Sequence, residues 1–317
     1  MNLTEKEIIY STDERFDLIK ELCHLSKNLY NASLYDVRQY YFGTKSYRTW
    51  QSQVPFFTKT KNPDYYALQS HVASEVIKQV GRQFISFFNN KSNQKKRIPK
   101  YKDKNGYNII TFNNLTISKQ VEFDEVRQIY IYTLCKKSYN LKIQSTKPKV
   151  KMVKFVYDEE NDLIKCFKIY EIEQPKLKKD NSRYFSIDPG LNNIVSIYNN
   201  IGIRPLLYNG RPIKSINQYY NKTNAKLKSE LPVNVKSSKR LKQLSFKRNN
   251  KIDYEMHKIS THIINEAVKN NISKIFIGNN IGWKDEINIG RRNNQNFVNI
   301  PYTKLFNQLL YKGLLNG

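Results

Sequence analysis

The chain has 317 residues, with 54 Lys and Arg against 27 Asp and Glu, a formal net charge of +27. So large a surplus exceeds what solubility requires and argues for a polyanionic partner. Cys23, Cys135 and Cys166 are scattered singly, so a C-x-x-C zinc ribbon is excluded from this chain, a disulfide framework is disfavoured and a reducing cytoplasm fits. No signal peptide opens the chain, and no apolar run is long enough to span a bilayer.

Residues 1–10 read as a first strand. From about Asp13 the pattern turns helical, with Leu18, Leu22, Leu25, Leu29 and Ala32 at three- and four-residue spacing up to about Tyr41. Gly43, Pro55 and Pro63 break the stretch 42–63, which reads as irregular. Asp64 then has the character of an N-cap before Leu68, Val72, Val76, Val80, Phe84 and Phe88, a strict four-residue stripe. A basic segment follows, in which Lys95, Lys96, Arg97, Lys100 and Lys102 interleave with Tyr101. Cations there can neutralise phosphates and rings can stack on bases.

Residues 109–173 alternate in the manner of strands, at 109–112, 128–134, 149–157 and 166–172. With the N-terminal lead they suggest a small barrel carrying the helical pair as an insertion. The pattern by itself gives helices followed by antiparallel β. The polar, Lys-rich run 174–180 marks a domain boundary, so the expected units are residues 1–175, with the helical module inserted at about 12–100, and 181–317.

The second unit opens with Tyr184 to Ile187, an apolar run, then Asp188, the turn formers Pro189, Gly190, Asn192 and Asn193, and a second apolar run from Ile194 to Tyr198. Asp188 thus ends a strand at the rim of a sheet, a position that suits a metal ligand facing a phosphate or a turn-capping acid. Arg204 to Tyr208 reads as a third strand. The stretch 214–250 is strongly basic and includes Lys239, Arg240, Lys247 and Arg248. Thin leucine stripes in it predict a helix pair with charged outer faces, either solvated or laid on a nucleic-acid backbone. Met256, Ile259, Ile263, Ile264 and Ala267 predict a further helix, 274–278 a buried parallel strand, and 301–311 a last helix.

The run Ile187-Asp188-Pro189-Gly190-Leu191-Asn192-Asn193 before an apolar strand resembles the first motif of RuvC-type nuclease domains. More closely it resembles the TnpB/OrfB proteins of insertion sequences, relatives of type V CRISPR effectors. The segment 279–297, with Trp283-Lys284-Asp285-Glu286-Ile287-Asn288 and Asn293-Asn294-Gln295-Asn296-Phe297, is similar to a distinct subgroup of that family. The resemblance implies an α+β chain: an N-terminal wedge-like β-barrel with an inserted helical module, then an incomplete RNase H-like (RuvC) α/β domain, in the order strand, strand, strand, helix, strand. It implies a guide RNA and target DNA as partners, Asp188 as a catalytic Mg²⁺ ligand, and a transposase or a downstream C-terminal fragment as a further partner. Arg291 and Arg292 join the backbone-contacting cations on the same grounds.

Such a site needs converging carboxylates for two divalent ions. The position expected for the second acid, near Gly278, Asn279 and Asn280, holds none. Asp285 and Glu286 either substitute for it or form loop ion pairs with Lys284 or Arg291. The zinc ribbon and the last acidic motif are expected beyond Gly317. The chain alone is therefore expected to bind without cutting, and a binding-only protein is the rival reading.

Overall fold

The computed structural model describes residues 1–89, 98–278, 290 and 300–317. The chain divides into two units, Met1–Ile172 and Glu173–Gly317.

In the first unit, β1 (Asn2–Tyr10) pairs antiparallel with β7 (Leu163–Glu171), β7 with β6 (Val150–Asp158), and β6 with β2 (Ile110–Phe112), giving the order β1-β7-β6-β2. A second sheet, β3 (Glu122–Asp124), β4 (Ile129–Leu134) and β5 (Leu141–Ser145), is also antiparallel. Between β1 and β2 come α1 (Phe16–Thr44), α2 (Trp50–Lys59), α3 (Pro63–Tyr66) and α4 (Ser70–Asn89). One core joins helices and sheets, built on Leu22, Leu29, Val76, Phe84, Phe112 and Phe155.

The architecture is mixed α and β, with helices inserted after the first strand. The expected barrel is replaced by two sheets: among the described residues no ladder closes them into a ring. They meet instead through side chains. The Glu5 carboxylate on β1 accepts from the Ser145 hydroxyl at 2.5 Å and from the Thr146 backbone N–H at 3.3 Å. Lys168, only 5% exposed, places its ammonium 2.8 Å from Glu7 and 3.9 Å from Glu5. Burial pushes the Glu5 carboxyl up, but the Ser145 bond, the Lys168 charge and the Thr146 bonds together outweigh it and hold the group below its ordinary value. All three cysteines are buried free thiols, and burial pushes Cys23 and Cys166 up to about 12 and Cys135 up to about 11.

Three local expectations change. Residues 42–63 are not irregular, since α2 forms there with Pro55 inside it. Asp64 does not cap the striped helix: it lies in the first turn of α3, which Asn62 caps by accepting from the Tyr65 N–H at 3.0 Å, while at the start of α4 the Gln69 side chain accepts from the His71 N–H at 2.9 Å and the Val72 N–H at 3.2 Å. The face that α1 buries runs through Ile19, Leu22, Cys23, Ser26, Leu29, Tyr30 and Leu34, so Leu18, Leu25 and Ala32 only flank it.

In the second unit, β8 (Tyr184–Pro189) and β9 (Asn193–Asn199) form the hairpin, β10 (Leu206–Asn209) adds antiparallel to β9, and β11 (Lys274–Ile277) lies parallel to β8. The order is β10-β9-β8-β11. Among the described residues the helices are α5 (Arg211–Ser229), α6 (Lys239–Lys269) and α7 (Tyr302–Leu315). What reads as two helices on either side of residue 250 is one of 31 residues, because the apolar stripe continues from Leu241 through Ile252 to Ile264 without a breaker. Phe185, Ile187, Val195 and Ile197 pack with Met256, Ile263, Leu305 and Leu309 as the core. Among the described residues β11 stands at the edge of the sheet rather than buried: Ile275 and Ile277 are half-buried, while Phe276 is 54% exposed. No helix among the described residues is long and apolar enough to cross a membrane.

Candidate nucleic-acid interface and carboxylate site

Alternation along β8 sends Phe185, Ile187 and Pro189 inward and leaves Ser186 and Asp188 exposed. Asp188 pairs with Ser196 on β9 and stands at the carboxyl end of its strand. On the other side, the Gly278 N–H donates to the Ile187 carbonyl at 3.0 Å, which continues the parallel register so that Gly278 lies beside Asp188. The neighbouring strand therefore brings no acid to this point.

The turn after Asp188 is held from three directions. The Tyr302 hydroxyl donates to the Gly190 carbonyl at 2.6 Å. The Gly210 N–H donates to the Asn192 carbonyl at 2.8 Å, and the Lys214 ammonium donates to Asn192 Oδ1 at 2.6 Å. Both glycines are needed for close approach. A Cβ on Gly190 would lie 2.8 Å from the Asn193 carbonyl oxygen, and one on Gly210 would lie 2.7 Å from that of Leu191. Burial first, and then the nearby Asp188 charge, raises the Tyr302 phenol well above its ordinary value, so it stays a donor. Spacing alone does not reveal Tyr302 or Lys214; only the fold brings α7 and α5 to the turn.

Among the described residues no group of three His, Cys, Asp or Glu could hold a metal ion. Asp285 and Glu286 lie outside the described residues, as do Lys95, Lys96, Arg97, Arg291 and Arg292. Magnesium takes several oxygen ligands at short range. One carboxylate beside a glycine does not furnish such a set, and the described residues do not fit a two-ion centre.

The remaining predicted cations divide between the two units. In the first, the segment after Ile98 is fastened along α1. Asn31 accepts from the Lys102 N–H and donates to the Lys102 carbonyl, both at 2.9 Å, and the Lys27 ammonium reaches the Lys104 carbonyl. Arg38 lies 4.9 Å from the centre of the Tyr101 ring, and Lys102 lies 5.1 Å from that of Tyr30. Lys100 and Tyr101 are exposed, whereas Lys102 is half-buried, and its ammonium pKa is lowered by desolvation. In the second unit Lys239, Arg240 and Lys247 are exposed on α6. Arg248 is committed to the helix pair: its Nε donates to Asn217 Oδ1 at 2.9 Å, and its guanidinium lies 5.4 Å from the Tyr220 ring. The tyrosines of α5 carry no local signal in the sequence, because only helix pairing sets them against the basic face of α6.

Residues 167–284 match the family model OrfB_IS605, described as a probable transposase. Among solved structures, the Cas12f1–sgRNA–target DNA complex aligns at 16% identity over 96% of this chain and 72% of that one, with a TM-score of 0.55, a likeness of fold. A CRISPR-Cas12f ternary complex aligns at 15% identity over 95% and 70% of the two chains, with a TM-score of 0.35. No curated protein matches.

Proposed function

We propose that this TnpB-like chain is the nucleic-acid-binding body of an RNA-guided DNA endonuclease of a mobile element, and that it does not cut by itself. The family match over residues 167–284 and the fold shared with a Cas12f1 complex support the first part. In this reading base pairing with the guide selects the sequence, and the protein grips backbone through cations such as Lys100, Lys239, Arg240 and Lys247. The finer layout, a wedge-like N-terminal body at 1–175 followed by a RuvC-like domain at 181–317, belongs to the same proposal.

The observation that carries the reading is Asp188, an exposed acid at the carboxyl end of β8 in a β10-β9-β8-β11 sheet, with its turn tied down by α5 and α7. It is the natural first ligand for a divalent ion that would polarise a phosphodiester. Gly278 at the adjacent strand end favours the second part, a chain that binds but does not turn over. The test is incubation of the guide-loaded chain with matching duplex and Mg²⁺. Binding without cleavage is expected. Turnover that Asp188→Ala abolishes would show a complete nuclease and overturn the second part.

A further inference from the structure

Helices α5 and α6 are antiparallel neighbours: Tyr220 meets Ser245 at 3.2 Å and Asn217 meets Arg248 at 2.9 Å, so partners advance on one helix as they recede on the other. A cleft of about 440 Å³ beside β11 and α7 is lined mainly by apolar residues. The cleft between α5 and α6, about 610 Å³, differs in chemistry. Its size falls within the roughly 300–1,000 Å³ of ligand sites.

One wall is a single stripe of α6. Arg240, Leu244, Lys247 and Lys251 follow at i, i+4, i+7 and i+11, with Arg248 beside them. The other wall is α5, with Tyr219, Tyr220 and Leu227. No Asp or Glu lines the cleft. Among the described residues Arg240, Lys247 and Lys251 make no ion pair, so three like charges face one opening uncompensated, an arrangement that disfavours the free state. Tyr220 is pinned by Ser245 and Arg248, which makes that wall rigid. Tyr219 is 65% exposed at the mouth, a large ring that the core does not use.

Anions and a flat ring are what this lining can hold together. We propose that the cleft seats an unpaired nucleotide of single-stranded RNA or DNA, with its base on Tyr219 and its flanking phosphates on Arg240, Lys247 and Lys251. A base inside a duplex is stacked between its neighbours and cannot reach Tyr219, so the cleft discriminates single strand from duplex. An acidic peptide would satisfy the cations but leave the ring without a partner. The proposal rests on the nucleic-acid reading above and narrows it to one place.

The test is fluorescence anisotropy of the full chain with labelled single-stranded RNA, single-stranded DNA of the same sequence and the matching duplex, each of about 12 nucleotides, a length typical of single-strand sites. Tyr219→Ala is expected to weaken single-strand binding on the order of 10-fold, the loss of one stacked base, and to leave duplex binding unchanged. Tyr219→Phe keeps the ring and should bind like the parent. Removing two cations in Lys247→Ala/Lys251→Ala should lower the salt slope for single strands by about 1.4, roughly 0.7 for each contact. A loss confined to the RNA or the DNA probe identifies which strand the cleft serves. Single-strand binding that Tyr219→Ala leaves intact, or a loss shared equally with duplex, overturns the proposal and leaves a plain cationic surface. So does a poly-glutamate peptide that binds as tightly as the single strand. A parent chain that binds none of the probes ends the broader nucleic-acid reading as well, so the two failures are distinguishable.

Discussion

At the scale of single residues, the turn after Asp188 shows what each position of its motif does. Gly190 and Gly210 leave room for carbonyl oxygens at under 3 Å from where a Cβ would sit, and Asn192 accepts from both Gly210 and Lys214. Gly210 has an ordinary negative φ, so the constraint is space, not conformation. Gly210→Ala should therefore behave as overpacking and destabilise the second unit by about 1–3 kcal/mol, read as a lower midpoint of its urea transition. A midpoint unchanged within error would mean that the β8–β9 turn can move away from Gly210 at no cost. The place of Asp188 at a strand end, with Gly190 in the turn after it, was legible because the motif is local, whereas Gly210 reaches that turn only through the fold. The expected second position, near Gly278, was also readable as lacking an acid, and the parallel register of β11 on β8 sets Gly278 beside Asp188; that pairing, across nearly ninety residues, comes only from the fold.

At the scale of elements, two seams carry testable energies. The α5–α6 seam rests on Asn217, 1% exposed, as the acceptor for a half-buried Arg248. Asn217→Ala leaves that guanidinium without this acceptor and should cost about 1.5–3 kcal/mol, measured by denaturant unfolding. The seam between the two N-terminal sheets rests on Glu5. Its carboxyl is held below the ordinary value in the folded chain, so its contribution is complete above that value and is lost as pH falls through the folded one. The Tm difference between the parent and Glu5→Gln should be largest above the ordinary glutamate value and shrink as pH falls below it. A difference that grows on acidification would contradict the sign. Long periodic elements such as α4, β6 and β7 were readable from spacing. The three-residue β3, the helix α2 around Pro55 and the continuity of α6 across residue 250 were not, because neighbours rather than local pattern decide them.

At the scale of the whole molecule, charge is the dominant fact. A surplus of +27 has few intramolecular acids to meet it, and exposed ion pairs such as Lys151 with Glu171 contribute little. The strap after Ile98 and the outer face of α6 present cations beside aromatic rings in both units. That arrangement suits a backbone gripped at many points, with selectivity left to pairing between strands. Binding of a single-stranded RNA by the full chain, followed across a salt series, tests this most directly. Four exposed cations, Lys100, Lys239, Arg240 and Lys247, at roughly 0.7 each predict that log Kd rises with log salt at a slope of about 3 or more. A slope near zero would contradict the account.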